Sequence, residues 1–373
     1  MASQVYFTDM RAGSHNESLP RKLRRLFDRA EFSKLFQKRE LVAVKIHFGE
    51  SGNLGFIHPV LVRQLVDKVK ENQGKPFLVD TNTLYVGSRS NSVDHLETAL
   101  KNGFSYATVG APVIIADGLF GKNFVEVEIN QKHFKKVKIA SDIFNAPSML
   151  VMSHVKGHIA TGFGGALKNL GMGCGNRGGK QMMHSVVKPE VNPEKCTGCG
   201  TCLKWCPVEA ITQKKKKEKA VIDRDLCIGC GECTAACQYE AIKIRWQSET
   251  DQLQERMVEF ALGAVTSKEK KTGYMNFVIN VTPDCDCHSW SDAPIVPDVG
   301  VLASTDPVAL DQASLDLINR QTGLVGTKLT TNYTPGQDKF SGIRDTIDHT
   351  VQLKYAEEIG LGVRSYELIE IKP

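Results

Sequence analysis

Residues 41–48 (LVAVKIHF), 59–69 (PVLVRQLVDKV) and 76–80 (PFLVD) form a strand–helix–strand pattern. The first run is rich in β-branched residues, which favour strands. The second has apolar residues at helical spacing and begins with Pro59, a residue suited to the first turn of a helix. Strands that alternate with helices in this way predict a parallel sheet covered by helices.

The same alternation continues on both sides of this unit. Asp306 and Pro307 form a typical helix start, with Asp as the cap and Pro in the first turn. Further strands are predicted at 5–8, 113–115, 149–154, 276–281, 299–302 and 366–371, a hairpin at 125–129 and 136–139, and helices at 19–36, 93–100, 253–265, 307–319 and 350–359. The predicted fold class is α/β, with a mostly parallel or mixed sheet and flanking helices.

A cysteine-rich segment interrupts this pattern. The composition changes near Lys188, and helical periodicity returns after Trp246. Because α/β patterning lies on both sides, one interrupted domain is the simplest organisation. We therefore predict a first part of the α/β domain at 1–187, a ferredoxin-like insert at 188–246 and the second part of the α/β domain at 247–373.

The insert contains a duplicated cysteine motif. Each copy has the spacing Cys-x2-Cys-x2-Cys-x3-Cys and is followed by Glu-Ala-Ile. In this spacing three thiolates on a tight loop bind three corners of one cubane cluster, and the fourth reaches the other cluster. The sequence predicts two 4Fe-4S clusters, one bound by Cys196, Cys199, Cys202 and Cys237 and the other by Cys227, Cys230, Cys233 and Cys206.

Zinc is the alternative metal for such cysteines. Zinc sites commonly use two separated Cys-x2-Cys pairs, whereas two complete four-cysteine runs favour iron. The insert resembles the bacterial two-cluster ferredoxins, although Gln238 stands where the first copy has Pro207. This resemblance implies one-electron transfer at low potential. The lysines at 214–217 between the motifs are either a docking patch for an acidic electron donor or a solvated hairpin tip.

Three cysteines lie outside the ferredoxin motifs. Cys174 ends a glycine-rich stretch, and Cys285 and Cys287 belong to the sequence Asp-Cys-Asp-Cys-His that follows a predicted strand. Residues just past strand ends line the ligand crevice of an α/β sheet. These cysteines, with His288, could hold a third 4Fe-4S cluster with an open iron, bind zinc, act as thiols without metal, or be unligated buried thiols.

Basic residues collect at two predicted strand ends and in the glycine-rich stretch. Cationic groups beside such turns suit a small anionic substrate, such as a carboxylate or a phosphate. The glycine-rich stretch matches no nucleotide-binding motif. The catalytic candidates are Cys174, Cys285, Cys287, His288, His154 and Lys156, and the binding candidates are Lys45, His47, His158, Lys168 and Asn169.

Bulk composition excludes several classes of function. The chain has 373 residues and a net charge of +5, without the dense basic stripe of a nucleic-acid-binding protein. It begins without the apolar core of a secretory signal, and its apolar runs are too short to cross a bilayer. Eleven cysteines in such a chain favour metal or redox chemistry over disulfides. We therefore expect a cytoplasmic protein that binds neither nucleic acid nor membranes.

The chain as a whole resembles a known family. The residues that carry this resemblance are Lys156, His158, the stretch GGALKNL at 164–170 and the stretch ASTDPVALD at 303–311. They are similar to the family called domain of unknown function 362, many of whose members carry an inserted two-cluster ferredoxin module. The resemblance implies an iron–sulfur protein and supplies no substrate.

Three functional hypotheses remain. The first is an iron–sulfur redox enzyme, whose insert passes single electrons to a site at Cys174, Cys285 and Cys287 that acts on a small anionic substrate. The second is an electron carrier or adaptor that docks a redox partner protein and has no catalysis of its own. The third is a maturation or scaffold protein that hands iron–sulfur units to another enzyme.

Overall fold

The structure is a computed structural model that describes residues 2–85, 87–184, 188–206, 208–227, 233, 236–237, 239, 241–243, 250–268 and 270–371. The predicted cluster ligand Cys230 lies outside these residues. The two predicted domain boundaries, after residue 187 and after residue 246, also fall outside them. The three-part division of the chain therefore stays a prediction.

The strands and helices of the described residues follow the alternation read from the sequence. The strands are β1 Ser3–Asp9, β2 Leu41–Lys45, β3 Lys75–Asp80, β4 Val113–Ile115, β5 Phe124–Glu128, β6 Lys136–Ala140, β7 Ser148–His154, β8 Lys156–His158, β9 Gly162–Gly164, β10 Glu190–Val191, β11 Ile211–Thr212, β12 Val221–Ile222, β13 Ile242–Lys243, β14 Thr272–Val278, β15 Gly300–Ser304 and β16 Tyr366–Glu370. The α-helices are α1 Leu19–Arg29, α2 Pro59–Glu71, α3 Ser92–Lys101, α4 Tyr106–Val109, α5 Ser141–Asn145, α6 Ala166–Cys174, α7 Arg177–Met183, α8 Thr201–Lys204, α9 Thr250–Val265, α10 Pro307–Asn319 and α11 Val351–Glu358. Two 3-10 helices lie at His15–Glu17 and Phe32–Leu35.

One eight-stranded sheet organises the α/β part. Its order is β16-β1-β15-β14-β7-β2-β3-β4. Strand β15 runs antiparallel to both of its neighbours, and every other adjacent pair is parallel. The predicted α/β class, with a mostly parallel or mixed sheet and flanking helices, is confirmed.

Helices cover both faces of this sheet. Along β7, Met149 and Val151 pack into one apolar cluster, while Leu150 and Met152 pack into the other. The first cluster includes side chains from α6, α9, α10 and α11, and the second includes side chains from α1, α2 and α3. The central strands are therefore buried on both sides, as expected for parallel sheets.

Local bounds differ from the sequence-based ones in two instructive places. The helix predicted at 19–36 ends at Arg29, because Glu31 adopts a left-handed conformation with φ 53°, and a short 3-10 turn follows. The strand predicted at 41–48 ends at Lys45, and the next residues leave the sheet toward the candidate site. The helix predicted at 307–319 is confirmed, with Asp306 accepting hydrogen bonds from Val308 N–H and Ala309 N–H.

Helix α6 forms despite its glycines, and two of the glycines in this stretch allow close packing. A Cβ at Gly171 would lie 2.1 Å from the carbonyl oxygen of Met257 in α9. A Cβ at Gly165 would lie 2.3 Å from a carboxylate oxygen of Asp311. That carboxylate accepts hydrogen bonds from Ala166 N–H at 2.7 Å and Leu167 N–H at 2.9 Å, so a buried side chain of α10 caps α6.

The cysteine-rich segment forms two small two-stranded sheets, β10–β13 and β11–β12. Its described core is small: Cys196, Cys202, Ile211, Ala220, Cys233, Ala241 and Ile242. The ammonium of Lys122 lies 3.1 Å from the ring centroid of Trp205, a contact between the α/β part and this segment. Within the described residues, none of the helices combines the length and the apolar character needed to cross a bilayer.

Candidate functional site

The candidate site lies at the carboxyl edge of the parallel strands. Lys45, Asp80 and His154 are the last residues of β2, β3 and β7. The loop after β14 brings Cys285 and Cys287 to the same edge, where Cys287 contacts His47 beyond the end of β2. Loops at this edge form the usual ligand crevice of an open α/β sheet.

A tight turn carries the cysteine pair. The N–H of His288 donates to the carbonyl of Cys285 at 3.0 Å, which closes a turn over residues 285–288. The two thiols lie close enough to shift each other's pKa in opposite directions. Cys285 is 2% exposed, whereas Cys287 is partly exposed.

His47 donates a hydrogen bond to Cys287. Its Nδ1 accepts from Gly49 N–H at 3.0 Å, so the proton of the neutral ring sits on Nε2, which lies 3.2 Å from Cys287 Sγ. The interaction with Cys285, together with the adjacent His47 and Arg89, holds the pKa of Cys287 well below its usual range despite burial. The interaction with Cys287 and burial raise the pKa of Cys285. The pair therefore favours a thiolate at Cys287 and a thiol at Cys285.

Lys168 supplies a cation to the pair. Its Nζ lies 3.4 Å from Cys285 Sγ, and the residue is 8% exposed. Burial alone would lower the pKa of Lys168, but the nearby Cys285 and Cys287 raise it above its ordinary value. Helix α6, capped by Asp311, positions this lysine toward the turn.

The carboxylate of Asp286 anchors the turn between the two cysteines. His154 Nδ1 lies 3.0 Å from both of its oxygens, and Lys156 Nζ lies 3.1 Å from Oδ2. His154 Nε2 lies 3.0 Å from the carbonyl oxygen of Asn280 and therefore donates to it. Burial would raise the pKa of Asp286, but His154 and Lys156 hold it well below its ordinary value. Two of the catalytic candidates, His154 and Lys156, thus bind an anion of the protein itself.

A second buried ion pair lies beneath the cysteines. Lys45 Nζ contacts Asp80 Oδ1 at 2.9 Å and Asn169 Oδ1 at 2.7 Å. Asn169 Nδ2 donates to the carbonyl of Met152 at 2.9 Å, so this amide ties β7 to α6. Burial opposes ionisation of Asp80, but Lys45 and the nearby His95 hold its pKa well below the ordinary value. Lys45 and Asn169 are therefore parts of a closed internal network.

Arg89 joins this network to the cysteine pair. It is 1% exposed, its Nε lies 3.2 Å from Glu50 Oε2 and its Nη1 lies 3.6 Å from Asp80 Oδ2. Its charge lowers the pKa of both His47 and Cys287. Tyr85 donates to Glu50 at 2.9 Å and accepts from Arg89 at 2.5 Å.

The two remaining histidine candidates have separate surroundings. His158 Nδ1 accepts from Thr161 N–H at 3.1 Å, and burial together with Lys168 holds the pKa of His158 well below its usual value. Its Nε2 therefore carries the proton of the neutral ring. His288 stacks on the exposed ring of Trp290, with the ring centroids 4.5 Å apart. The imidazole at the sulfur pair thus belongs to His47, which is 240 positions away from Cys287 in the chain.

Cys174 sits at the end of α6, and its thiol donates to the carbonyl of Asn169 at 3.8 Å. Burial raises the pKa of Cys174 to about 11. Among the described residues, no three His, Cys, Asp or Glu side chains gather closely enough to hold a single metal ion, and this applies to Cys174, Cys285 and Cys287 as it does to the cysteines of the cysteine-rich segment. A third metal centre at these cysteines stays a prediction.

The cysteine-rich segment brings four predicted ligands together. Cys196, Cys199, Cys202 and Cys237 line one cavity, together with backbone of the intervening loop. Burial, together with the neighbouring Cys237, Cys199 and Cys196, raises the pKa of Cys202 to about 11. These are the four residues that the crossed arrangement of the two motifs assigns to one cluster.

The fourth cysteines of the two motifs have matching surroundings. Cys206 Sγ accepts from Ala210 N–H at 3.2 Å, and Cys237 Sγ accepts from Ala241 N–H at 3.3 Å. Backbone N–H groups aimed at sulfur stabilise the thiolate form that metal ligation needs. Of the remaining predicted ligands, Cys233 is buried and Cys227 is partly exposed.

The chain matches the family described as domain of unknown function (DUF362) over residues 42–316. It belongs to that family. The match runs through the sheet, the candidate site and the cysteine-rich segment of this DUF362 chain.

A second comparison concerns a short piece of this DUF362 chain. The ferredoxin-type protein NapF of Haemophilus influenzae is 46% identical to it over 39 residues, which cover 10% of this chain and 22% of that protein.

Two solved structures also resemble the DUF362 chain, which spans about half of each. The lactate racemase apoprotein of Thermoanaerobacterium thermosaccharolyticum gives a TM-score of 0.37 at 11% identity over 74% of this chain and 51% of that one. A Thermotoga maritima protein from a structural genomics programme gives a TM-score of 0.34 at 9% identity, over 70% of this chain and 50% of that one.

Sequence reasoning missed several charged members of the site. Asp286 lies inside the Asp-Cys-Asp-Cys-His stretch and could have been found by its position between the two cysteines. Asp80 ends a predicted strand, which was also a usable signal. Arg89, Glu50 and Tyr85 lie in irregular loops, and their spacing in the sequence shows no pattern that identifies them.

Proposed function

We propose that this chain is an iron–sulfur redox protein, in which residues 188–246 carry two 4Fe-4S clusters and pass single electrons to the site at Cys285 and Cys287. The observation that carries the proposal is the cavity shared by Cys196, Cys199, Cys202 and Cys237. Three of these come from the first motif and one from the second, which is the ligand set of a two-cluster ferredoxin. The ferredoxin-type similarity over 39 residues supports the same cofactor class.

The residues around the cavity fit such a cluster. When bound, a 4Fe-4S cluster supplies one electron at a time, at a potential tuned by hydrogen bonds to its sulfurs. The chain contributes the N–H of Ala241 to the sulfur of Cys237. Gly198 and Gly200 both adopt positive φ angles, and a Cβ at Gly198 would lie 2.3 Å from the carbonyl oxygen of Lys217. The ligand loop therefore needs glycine to fit against the lysine-rich tip.

That tip is the proposed docking point for a redox partner protein. Lys214, Lys215, Lys216 and Lys217 are exposed. Lys219 donates from its Nζ to the carbonyl of Cys196, so the tip packs directly on the first ligand loop. Cys199 in that loop is also exposed. A positive surface beside an accessible ligand suits an acidic electron donor.

The proposed acceptor site takes a small anionic substrate through fewer groups than the sequence indicated. Lys156 and His154 hold Asp286, and Lys45 holds Asp80. Lys168 and the Nε2 proton of His158 remain as the groups that can bind an anion beside the cysteines. Free thiols and labile clusters are kept reduced in the cytoplasm, where we place the protein.

The test is the iron, sulfide and zinc content of anaerobically purified protein. Two clusters require about eight irons and eight sulfides per chain. The Cys202→Ala variant should lose about four irons, one cluster's share, whereas Cys174→Ala should keep the wild-type iron content. Zinc in place of iron, or an iron content unchanged in Cys202→Ala, would refute the proposal.

A further inference from the structure

The cysteine pair has the geometry of a redox dithiol. Cys285 and Cys287 occupy the first and third positions of a turn closed by the 3.0 Å hydrogen bond from His288 N–H. The Cα atoms of residues two positions apart are at most about 7 Å apart, and disulfides join Cα atoms about 4.4–6.8 Å apart. The positions of the two residues in the turn therefore allow a disulfide between them.

The two sulfurs are not equivalent. Cys285 is 2% exposed and packs beneath the turn, whereas Cys287 is partly exposed at the crevice. His47 Nε2 donates to Cys287 at 3.2 Å, and Lys168 Nζ donates to Cys285 at 3.4 Å. An outside molecule therefore reaches Cys287 first, and Cys285 is placed to react second.

Charge balance in the site favours a sulfur anion. Three of its buried cations each face a carboxylate: Lys45 faces Asp80, Lys156 faces Asp286 and Arg89 faces Glu50. Lys168 instead faces the cysteine pair. A buried ammonium is stable when an anion lies beside it, and one deprotonated sulfur in the pair supplies that anion.

We propose that Cys285 and Cys287 form a dithiol–disulfide redox centre that reduces a small anionic disulfide, with Cys287 as the attacking thiolate and Cys285 as the resolving thiol. The inference rests on the proposed function only for the electrons that regenerate the dithiol. Lys168, whose Nζ contacts Cys285, and His158, which interacts electrostatically with Lys168 and Cys287, attract the anionic group of the substrate to the cysteine pair.

The chemistry proceeds in three balanced steps. Cys287 Sγ attacks the substrate disulfide, forms a mixed disulfide and releases one thiolate. Cys285 Sγ then attacks Cys287 Sγ, releases the second thiolate and closes the internal disulfide, while the proton of Cys285 passes to a departing thiolate. Two electrons from a low-potential one-electron donor and one proton return the pair to a thiol at Cys285 and a thiolate at Cys287. Overall, one disulfide, two electrons and one proton give one thiol and one thiolate.

The experiment uses anaerobically purified holoprotein and the anionic disulfide 5,5′-dithiobis(2-nitrobenzoate). The pair should release about two equivalents of thionitrobenzoate, one on attack and one on resolution, after subtraction of the release from a Cys285→Ser/Cys287→Ser double variant. The wild-type peptide that contains both cysteines should become lighter by two hydrogens. The Ser289→Ala variant changes an exposed residue next to the turn, and as the matched control it should behave like the wild type.

The single variants separate the two roles. Cys285→Ser should release about one equivalent and retain a mixed disulfide at Cys287, because the resolving thiol is absent. Cys287→Ser should lose the rapid release of thionitrobenzoate, because the attacking sulfur is absent. Two results would overturn the inference: a wild-type peptide that keeps both thiols, or a Cys287→Ser variant that releases thionitrobenzoate as fast as the wild type. The mass of the wild-type peptide gives an answer even if a variant fails to fold. The iron content of the same samples reports on the proposed function separately, since the disulfide forms whether or not iron is present.

Discussion

The cysteine-rich segment at 188–246 and the cysteine pair at Cys285 and Cys287 place the same functional group in two different surroundings. In the segment the described core contains seven buried side chains, and three of them are cysteines. Around the pair, the turn lies on a sheet with large apolar clusters on both faces, and charged side chains from distant strands hold it. The comparison teaches that the apolar core of one region is small and rich in cysteine, whereas the other region holds its cysteines in place by packing and ion pairs.

Removal of the clusters should separate the two regions most strongly. If bound metal supplies most of the segment's folding energy, a chelator with a reductant should abolish amide protection across 190–243 while β2, β7 and β14 stay protected. Hydrogen exchange read by mass spectrometry measures both regions in one sample. Chelator without reductant is the control and should leave protection high. Unchanged protection at 190–243 after loss of iron would contradict the comparison.

The buried ion pair beneath the cysteines should show the next largest effect. Lys45→Met leaves the carboxylate of Asp80 buried with weaker partners and should reduce the free energy of unfolding by about 3–5 kcal/mol. Lys34→Met removes a lysine from a 2.6 Å pair with Glu31 that is more than half exposed, so it should have little effect on stability.

Chemical denaturation, followed by the loss of helical circular dichroism, compares the two lysine variants. An equal loss of stability in both would show that burial does not distinguish the pairs. Iron content should stay at the wild-type value in both variants, because neither lysine touches the cysteine-rich segment in the described contacts.

The smallest effect should come from the lysine-rich tip. Lys216→Glu with Lys217→Glu should slow reduction by an acidic electron donor several-fold at low ionic strength, and the difference should fade near 0.5 M salt, where the Debye length is only about 4 Å. Stopped-flow absorbance of the clusters measures this rate. Lys34→Glu with Lys38→Glu, at exposed positions outside the cysteine-rich segment, is the charge-matched control, and an equal slowing by that control would show that the tip has no special role.

The fold and the cysteine motifs were accessible from the sequence because both are encoded locally. Alternating apolar residues predicted the strands, and apolar residues at helical spacing predicted the helices. Asp306 before Pro307 predicted the start of α10. The reversed direction of β15 was not accessible, since a short strand of the same composition can pair in either direction. The cysteine spacing placed Cys196, Cys199, Cys202 and Cys237 in one set, and the structure brings these four to one cavity.

The polar network of the candidate site was less accessible because its contacts are non-local. His47 meets Cys287 across 240 positions, and Lys168 meets Cys285 across 117. Adjacent residues in the sequence were misleading: His288 follows Cys287 directly, yet it stacks on Trp290. A single chain without its folded contacts shows which residues can ionise, but it does not show which of them face each other.

The pairing of β10 with β13 has a consequence for how the cysteine-rich segment is connected to the sheet. Val191 lies opposite Ile242 and Glu190 opposite Lys243 in one antiparallel ladder. Cα atoms of such partners are about 4.5–5.5 Å apart, so the chain leaves for the cysteine-rich segment and returns at almost the same point. The entropy of closing a loop depends on its ends and only weakly on its length. A chain that gained or lost the stretch between these strands would therefore keep β7 and β14 as neighbours in the sheet.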